Sequence, residues 1–351
     1  MKIAVLLSGG VDSSVALHLV RQEGHRDVTA FYLKIWLEDE LSYLGQCPWE
    51  EDLRYVRAVC DQAGVPLEVV SLQSEYQEKI VTHVVEELRR GRTPSPDILC
   101  NQRIKFGVFF ERMAPGFDRV VTGHYAQIEP RGGLFLLKRS PDAIKDQTYF
   151  LSSLDQSQLG RLGFPIGHLT KRQVRQLARD LELPNRDRKD SQGICFLGKI
   201  KYPEFIRYHL GEKRGAIVEL ETDRKLAEHD GYWFYTVGQR KGIGLGGGPW
   251  YVVKKDVALN IVYVSRSDHF LTHARNQFVA GPVHWIAGEP ATMSVQTKVR
   301  HGPRLEDGQL RPLGNQFWEV TLRDKDQGIA AGQSAVFYEA EICLGGGVIE
   351  S

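Results

Sequence analysis

No stretch of this 351-residue chain is long or apolar enough to span a membrane. The apolar run near its start, Ile3-Ala4-Val5-Leu6-Leu7, is too short for the core of a secretory signal, so a cytoplasmic protein without a membrane partner is expected. Cysteine is scarce. Five residues, an odd number with no C-x-x-C pair, exclude a disulfide framework and a zinc site of close-spaced thiolates. Net charge is nearly absent too: 45 Lys and Arg against 44 Asp and Glu leave +1, and no whole-molecule pull on nucleic acid. Charge of one sign is instead local, with nine basic residues against four acidic ones over 171–201, and six acids with no base over 36–52. The basic stretch would suit a phosphate-rich partner. There is no internal repeat and no low-complexity tract.

What the sequence does hold is concentrated after that first apolar run. Ser8-Gly9-Gly10-Val11-Asp12-Ser13-Ser14 joins a candidate buried strand to a candidate helix. Gly9 and Gly10 remove the Cβ atoms that would keep backbone from an anion, and a helix starting near Asp12 aims its unpaired N–H groups into the turn. The loop has no lysine, so it is not the G-x-x-x-x-G-K-[ST] phosphate loop. A turn that only lets helix pack on strand would explain the glycines but not the aspartate and serines. The loop resembles the S-G-G-x-D-S signature of the PP-loop ATP pyrophosphatases, which cut ATP between its α and β phosphates.

With 42% hydrophobic residues there is enough chain for two or three cored domains. The first half alternates strand-like and helical patterns, which predicts a parallel sheet covered on both faces. Strands are expected at 2–7, 28–33, 66–72 and 119–123. Val15/Ala16/Leu19/Val20, Leu53/Val56/Val59/Cys60/Ala63 and Ile80/Val84/Leu88 fall at helical spacing, which makes Cys60 a core residue. Residues 127–139, with a Gly132-Gly133 turn, read as a hairpin added to that sheet, and 171–181 as a helix ending before Pro184. Beyond about 199 a short helix at 203–209 is followed by β-rich runs at 232–237, 250–254, 260–264, 295–299, 317–322 and 334–342. These predict one or two small barrels. Gly242-Ile243-Gly244-Leu245-Gly246-Gly247 matches G-x-G-x-x-G, but Pro249 and a strand pattern follow where a dinucleotide site needs a helix.

Two cysteines stand among turn residues and charges. Cys100 follows Thr93-Pro94-Ser95-Pro96-Asp97-Ile98-Leu99, whose prolines predict extended or turned backbone before a helix at 104–113; a thiol at that helix start, near Arg103 and Lys105, favours thiolate. Cys195 sits in Asp190-Ser191-Gln192-Gly193-Ile194-Cys195-Phe196, within the basic stretch.

Pro96–Asn101, Thr122-Gly123-His124-Tyr125-Ala126, Lys145-Asp146-Gln147-Thr148-Tyr149-Phe150-Leu151, Ser191–Phe196, Tyr235–Gly242 and Gly332–Tyr338, in this order with the glycine loop, resemble the bacterial tRNA-uridine 2-sulfurtransferases along almost the whole chain. The resemblance implies an α/β fold. A PP-loop (adenine nucleotide alpha hydrolase-like) domain over 1–198 would be followed by a central β-rich domain over 199–270 and a C-terminal β-barrel over 271–351, both tRNA-binding. It implies ATP-dependent 2-thiolation of the wobble uridine of Lys, Glu and Gln tRNAs, by adenylation of the uracil 2-oxygen and sulfur transfer from a cysteine persulfide. Leu6, Leu7, Ser8, Gly9, Gly10, Val11, Asp12, Ser13, Leu33 and Gly123 would hold ATP, with Asp12 acting through Mg2+; Leu33 replaces the family's usual methionine. Cys195 would carry the persulfide, Cys100 would be the thiolate nucleophile that either attacks the activated carbon or resolves the persulfide, and Asp97 the acid–base partner. Ser95, Pro96, Asp97, His124, Lys145, Asp146, Gln147, Arg300, His301 and Gln333 match tRNA-contacting positions. Ser95 departs from the family's asparagine and His301 from its tyrosine. A cysteine desulfurase or sulfur-relay protein would be the partner of a monomer. The same residues also allow two alternatives: an iron–sulfur cluster on Asp97, Cys100 and Cys195, and another PP-loop ligase.

Overall fold

The computed structural model describes residues 1–35, 48–190, 201–266, 269 and 272–350. Ile3–Leu7 is buried at every residue, as a strand must be when helices cover both faces of its sheet. It is the central strand of five, in the order Leu67–Ser71, Val28–Lys34, Ile3–Leu7, Arg119–Val121, Leu162–Gly163, and every pairing is parallel. The chain builds outward from Ile3–Leu7 on one side, then returns to its other side with Arg119–Val121. That reversal is a topological switch point, where open parallel sheets bind ligands beyond the carboxyl ends of their strands. Leu53, Val56, Val59 and Cys60 pack with Leu17 and Val20 in one core, while Ile80, Val84 and Leu88 pack with Phe31 in another. Among the described residues no helix is long and apolar enough to cross a membrane.

The glycine-turn hairpin forms as Ala126–Arg131 and Leu134–Arg139 but does not extend the parallel sheet. It is corrected to the edge of the nine-stranded C-terminal sheet, where Leu137 and Lys138 pair antiparallel with Cys343 and Ile342. The region expected to be turned before 104 is also corrected. A helix starts at Pro96 and runs through Pro96–Leu99, Cys100–Val108 and Phe109–Arg112, because a proline at the first helical position gives up only an N–H that has no intrahelical partner.

In the second half, Tyr202–Leu210 is helical and four strands form a small sheet in the order Trp250–Asp256, Ile261–Arg266, Gly215–Glu219, Lys225–His229. The strand expected at 232–237 is instead a single tight turn, Tyr232–Phe234, entered through Gly231 at φ 149°. Trp250–Asp256 follows the glycine-rich 242–247 segment, which rules out a dinucleotide fingerprint there. The C-terminal sheet is antiparallel; the run expected at 334–342 splits into Ser334–Glu339 and Ile342–Val348, and Glu306–Gly314 joins it without a sequence signal. The expected domain boundaries at 198/199 and 270/271, and Cys195, lie outside the described residues.

Asp146 ties the barrel to the first domain. It and Lys298 are ion-paired at 3.1 Å with no side-chain exposure on either. Thr148 Oγ1 donates to the same carboxylate at 2.9 Å, and Arg139 Nε at 3.3 Å. Asp146→Ala strands the Lys298 ammonium in a dry interior and is expected to destabilise the protein by about 3–5 kcal/mol. Urea unfolding measures this; a change below about 1 kcal/mol, the range of exposed pairs, would show that the junction is not a dry ion pair.

Candidate active site

Helix Val11–Gln22 begins directly beyond the buried strand Ile3–Leu7, so its first-turn N–H groups open at the switch point. Gly10 is the N-cap and no side chain caps it, which leaves those donors to an anion. The loop is shaped from within: Ser13 Oγ accepts from the Ser8 N–H at 3.2 Å and donates to the Gly10 carbonyl at 3.1 Å, and Ser14 Oγ donates there at 3.0 Å. Gly9, at φ 76°, has no room for a Cβ, which would lie 2.8 Å from both Arg188 Nη1 and the Asp52 carbonyl. Arg188 and Asn185 donate to the Gly9 carbonyl at 2.9 and 2.8 Å.

Gly123 arrives from the neighbouring strand Arg119–Val121. A Cβ there would stand 2.6 Å from the Ser13 nitrogen, so glycine is needed for the two loops to meet. Thus the structure brings Ser8 through Ser13 and Gly123 together. Leu6 and Leu7 are buried beneath them, and Leu33 stands half-buried near the end of the adjacent strand Val28–Lys34.

Asp12 is the centre of a charged network that sequence reasoning did not assemble. Lys171 Nζ donates to both its oxygens at 2.7 and 2.9 Å, and Tyr125 Oη donates to Oδ1 at 2.9 Å. Lys171 also pairs with Asp190 at 2.8 Å, which is held in turn by Lys145 at 2.7 Å and by Arg175. Burial opposes ionisation of Asp190, but the bonds from Lys145 and Lys171 prevail and keep its carboxyl below the ordinary aspartate range. Burial, then the Asp12 charge, raises the Tyr125 phenol above its usual value, so Tyr125 remains a donor. The sequence signal for this network was present as a basic stretch and a loop without lysine.

Asp97 lies in the first turn of the helix at Pro96–Leu99, with Ser95 as its N-cap, and Cys100 follows one turn later, 1% exposed. At Cys100 the helix widens into the π-helical stretch Cys100–Val108, a departure that functional sites often use. Around this turn gather His301, whose ring stacks on Phe150 at 4.5 Å, and Tyr149, which donates to the Ser334 carbonyl at 3.0 Å. Burial lowers the His301 pKa, while the charges of Asp146 and Asp97 act the other way. Gln333 is half-buried in the loop before Ser334–Glu339; the same loop accepts the Thr93 N–H at Ala331, 2.8 Å away.

The remaining matched positions are dispersed. Asp146 points into the junction rather than outward, Lys145 lies on Asp190, and Gln147 Oε1 accepts the Tyr125 N–H at 2.9 Å. His124 Nδ1 lies 2.7 Å from Thr122 Oγ1, its ring between Phe106 and Phe164, and burial pushes its pKa well down. Arg300 is held by both oxygens of Asp326 at 2.7 and 3.0 Å.

Asp12 fits magnesium, which commonly takes one or two carboxylates plus phosphate oxygens, although the ion would compete with Lys171 for it. Among the described residues no three His, Cys, Asp or Glu side chains are placed to hold a metal; Cys195, needed for the iron–sulfur alternative, lies outside them.

A parallel-sheet domain with an anion-ready glycine loop at its switch point, joined to two β-rich units, defines a HUP-type nucleotide-binding protein. Family models match as a tRNA methyl transferase HUP domain over 1–199, a tRNA methyl transferase PRC-barrel domain over 203–266 and an aminomethyltransferase beta-barrel domain over 275–349. The tRNA-specific 2-thiouridylase MnmA of Parabacteroides distasonis is 44% identical over 356 residues, covering 99% of each chain. A Bacteroides thetaiotaomicron relative, MnmA 1, is 46% identical over 357 residues, again covering 99% of each. The U34-tRNA thiolase NcsA from Methanococcus maripaludis, solved with its 4Fe-4S cluster, aligns at a TM-score of 0.36 and 15% identity over 60% of this chain and 64% of that one, too distant to inform the chemistry. The chain belongs to the MnmA tRNA-specific 2-thiouridylase family. Its PP-loop HUP domain implies ATP use.

Proposed function

We propose that the chain uses ATP to replace the 2-oxygen of a wobble uridine in tRNA by sulfur. The observation that carries this reading is the convergence of Ser8–Ser13 and Gly123 on uncapped helical N–H groups, in a member of this family. Such a cradle serves a polyphosphate. Thiolation needs one because the uracil 2-oxygen leaves poorly until it carries AMP; methyl transfer, which the family-model descriptions mention, has no such need of a triphosphate.

In the proposed sequence the uracil 2-oxygen bonds to the α-phosphorus and the bond to the bridging oxygen breaks, so the electron pair departs on pyrophosphate. Magnesium held at Asp12 would neutralise phosphate charge. Asp97, near the helix start, serves as acid–base partner at the base; the terminal sulfur of the Cys195 persulfide bonds to the activated carbon, AMP departs with the 2-oxygen, and the Cys100 thiolate breaks the persulfide S–S bond by attack on the Cys195 sulfur, leaving a Cys100–Cys195 disulfide for an external thiol to reduce. Ser95, Pro96, His124, Lys145, Gln147, Arg300, His301 and Gln333 are proposed to position tRNA. The sulfur comes from a cysteine desulfurase or a relay protein.

The test is incubation with ATP and unmodified tRNA. AMP and pyrophosphate should appear only when tRNA is present and should not respond to citrulline or ammonia. ADP and phosphate as the main tRNA-dependent products would contradict the reading.

A further inference from the structure

The glycine loop lacks the lysine by which the commoner phosphate loop holds its nucleotide, yet a lysine stands at its mouth. Lys171, the first residue of helix Lys171–Asp180, comes from 159 positions further along the chain to hold Asp12 in the first turn of Val11–Gln22. Its backbone is fixed: Thr170 and Gln173 close a capping box across this helix start, and the Lys171 N–H donates to Asp142 at 3.0 Å. Its ammonium is less committed, shared between Asp12 and Asp190, with the side chain 15% exposed.

Charge and geometry single it out among its neighbours. Lys145, Lys171 and Arg175 face the carboxylates Asp12 and Asp190, and the Asp142 carboxylate accepts the backbone N–H groups of Lys145 and Lys171. Arg175 is pinned by further bonds to the carbonyls of Arg186 and Arg188, and Lys145 pairs with Asp190. Lys171 alone of the three pairs with the loop's own carboxylate. A lysine is a point charge on a flexible stem, able to exchange one anionic partner for another without backbone movement. Polyphosphate brings more negative charge to this spot than Asp12 does, and Asp190 retains Lys145 and Arg175 when Lys171 departs.

We propose that Lys171 is the phosphate-binding cation of this loop: its ammonium passes from Asp12 to the β- and γ-phosphates of ATP and stays with the pyrophosphate as it leaves. No proton moves in this step. The bond from the uracil 2-oxygen to the α-phosphorus forms, the α-phosphorus bond to the bridging oxygen breaks, and Lys171 stabilises the charge gathered on the leaving group. The proposal rests on the ATP-cleaving reading of the site and adds a residue to it.

Calorimetric titration of the full chain with ATP, pyrophosphate and AMP tests the assignment. Lys171→Gln keeps an N–H donor for Asp12 but no charge. It should weaken ATP and pyrophosphate binding by roughly tenfold to a hundredfold and AMP binding by less than about threefold, the loss expected for a charge-assisted bond to the terminal phosphates. Equal weakening of all three, or none, would overturn the proposal and leave Lys171 a structural partner of Asp12. A second measurement uses the unaltered protein and does not depend on the variant's folding. Acylation of Lys171 by an amine-specific reagent, read by mass spectrometry, should be slowed by pyrophosphate and not by AMP; equal protection by AMP would overturn it. Wild-type protein that bound neither ATP nor pyrophosphate would instead refute the reading of the site itself, before any variant was compared.

Discussion

Asp12→Ala should lower tRNA-dependent ATP cleavage by roughly a thousandfold or more, the scale on which a preorganised electrostatic group acts in group transfer, while the chain remains folded. The carboxylate lies in the first turn of the helix that forms the cradle, with its side chain 31% exposed. It is therefore neither a core residue nor an isolated buried charge. Its removal leaves Lys171 with Asp190 as partner and Tyr125 without its acceptor, a loss of about 1–3 kcal/mol in stability for the unmade bond. AMP measured by chromatography and melting measured on the same sample separate the two effects. Undiminished AMP formation in a folded variant would remove Asp12 from the reaction.

Under the proposed roles, Cys195 and Cys100 should fail in different ways. Cys195→Ser should lose protein-bound sulfane sulfur on incubation with a cysteine desulfurase, whereas Cys100→Ser should load sulfur as wild type does yet make no thiouridine. The difference follows from the persulfide sulfur being released by thiol–disulfide exchange, in which carrier and final nucleophile are separate sulfurs. Cys60 is the control. Burial, reinforced by Asp61, pushes its thiol up to about 12, and burial does the same to Cys343, so neither supplies thiolate near neutral pH. Cys60→Ser should retain thiolation. Equal sulfur loading on Cys100→Ser and Cys195→Ser would contradict the division of roles.

The parallel sheet was legible because Ile3–Leu7 is buried and apolar at every residue and Val28–Lys34 is buried at Val28 and Ala30–Tyr32, and burial on both faces leaves a continuous signal. The cradle was legible for a similar reason: glycine and hydroxyl chemistry is local. Long-range pairing was not. Nothing within 126–139 reveals that Leu137 meets Cys343, and by sequence alone a hairpin with an open edge belongs to the nearer sheet. Glu306–Gly314 escaped because its acids, its arginine and Pro312 obscure the alternation that marks a strand. The prolines before Cys100 predict extended or turned backbone, yet the first helical position accepts Pro96, which puts Cys100 in the second turn of a helix instead of at its start. Lys171 stood in a charge run whose excess was visible, but only the fold shows that its helix returns to the loop lacking a lysine.

The central claim is that thiolation proceeds through adenylation of the uracil oxygen. Its most direct test is the stoichiometry of a reaction with unmodified tRNA, ATP and a persulfide donor, with nucleosides and nucleotides quantified by mass spectrometry on the same time course. The account predicts one AMP and one pyrophosphate for each 2-thiouridine formed; 2-thiouridine accumulating without ATP cleavage, or with ADP and phosphate in place of AMP and pyrophosphate, would contradict it.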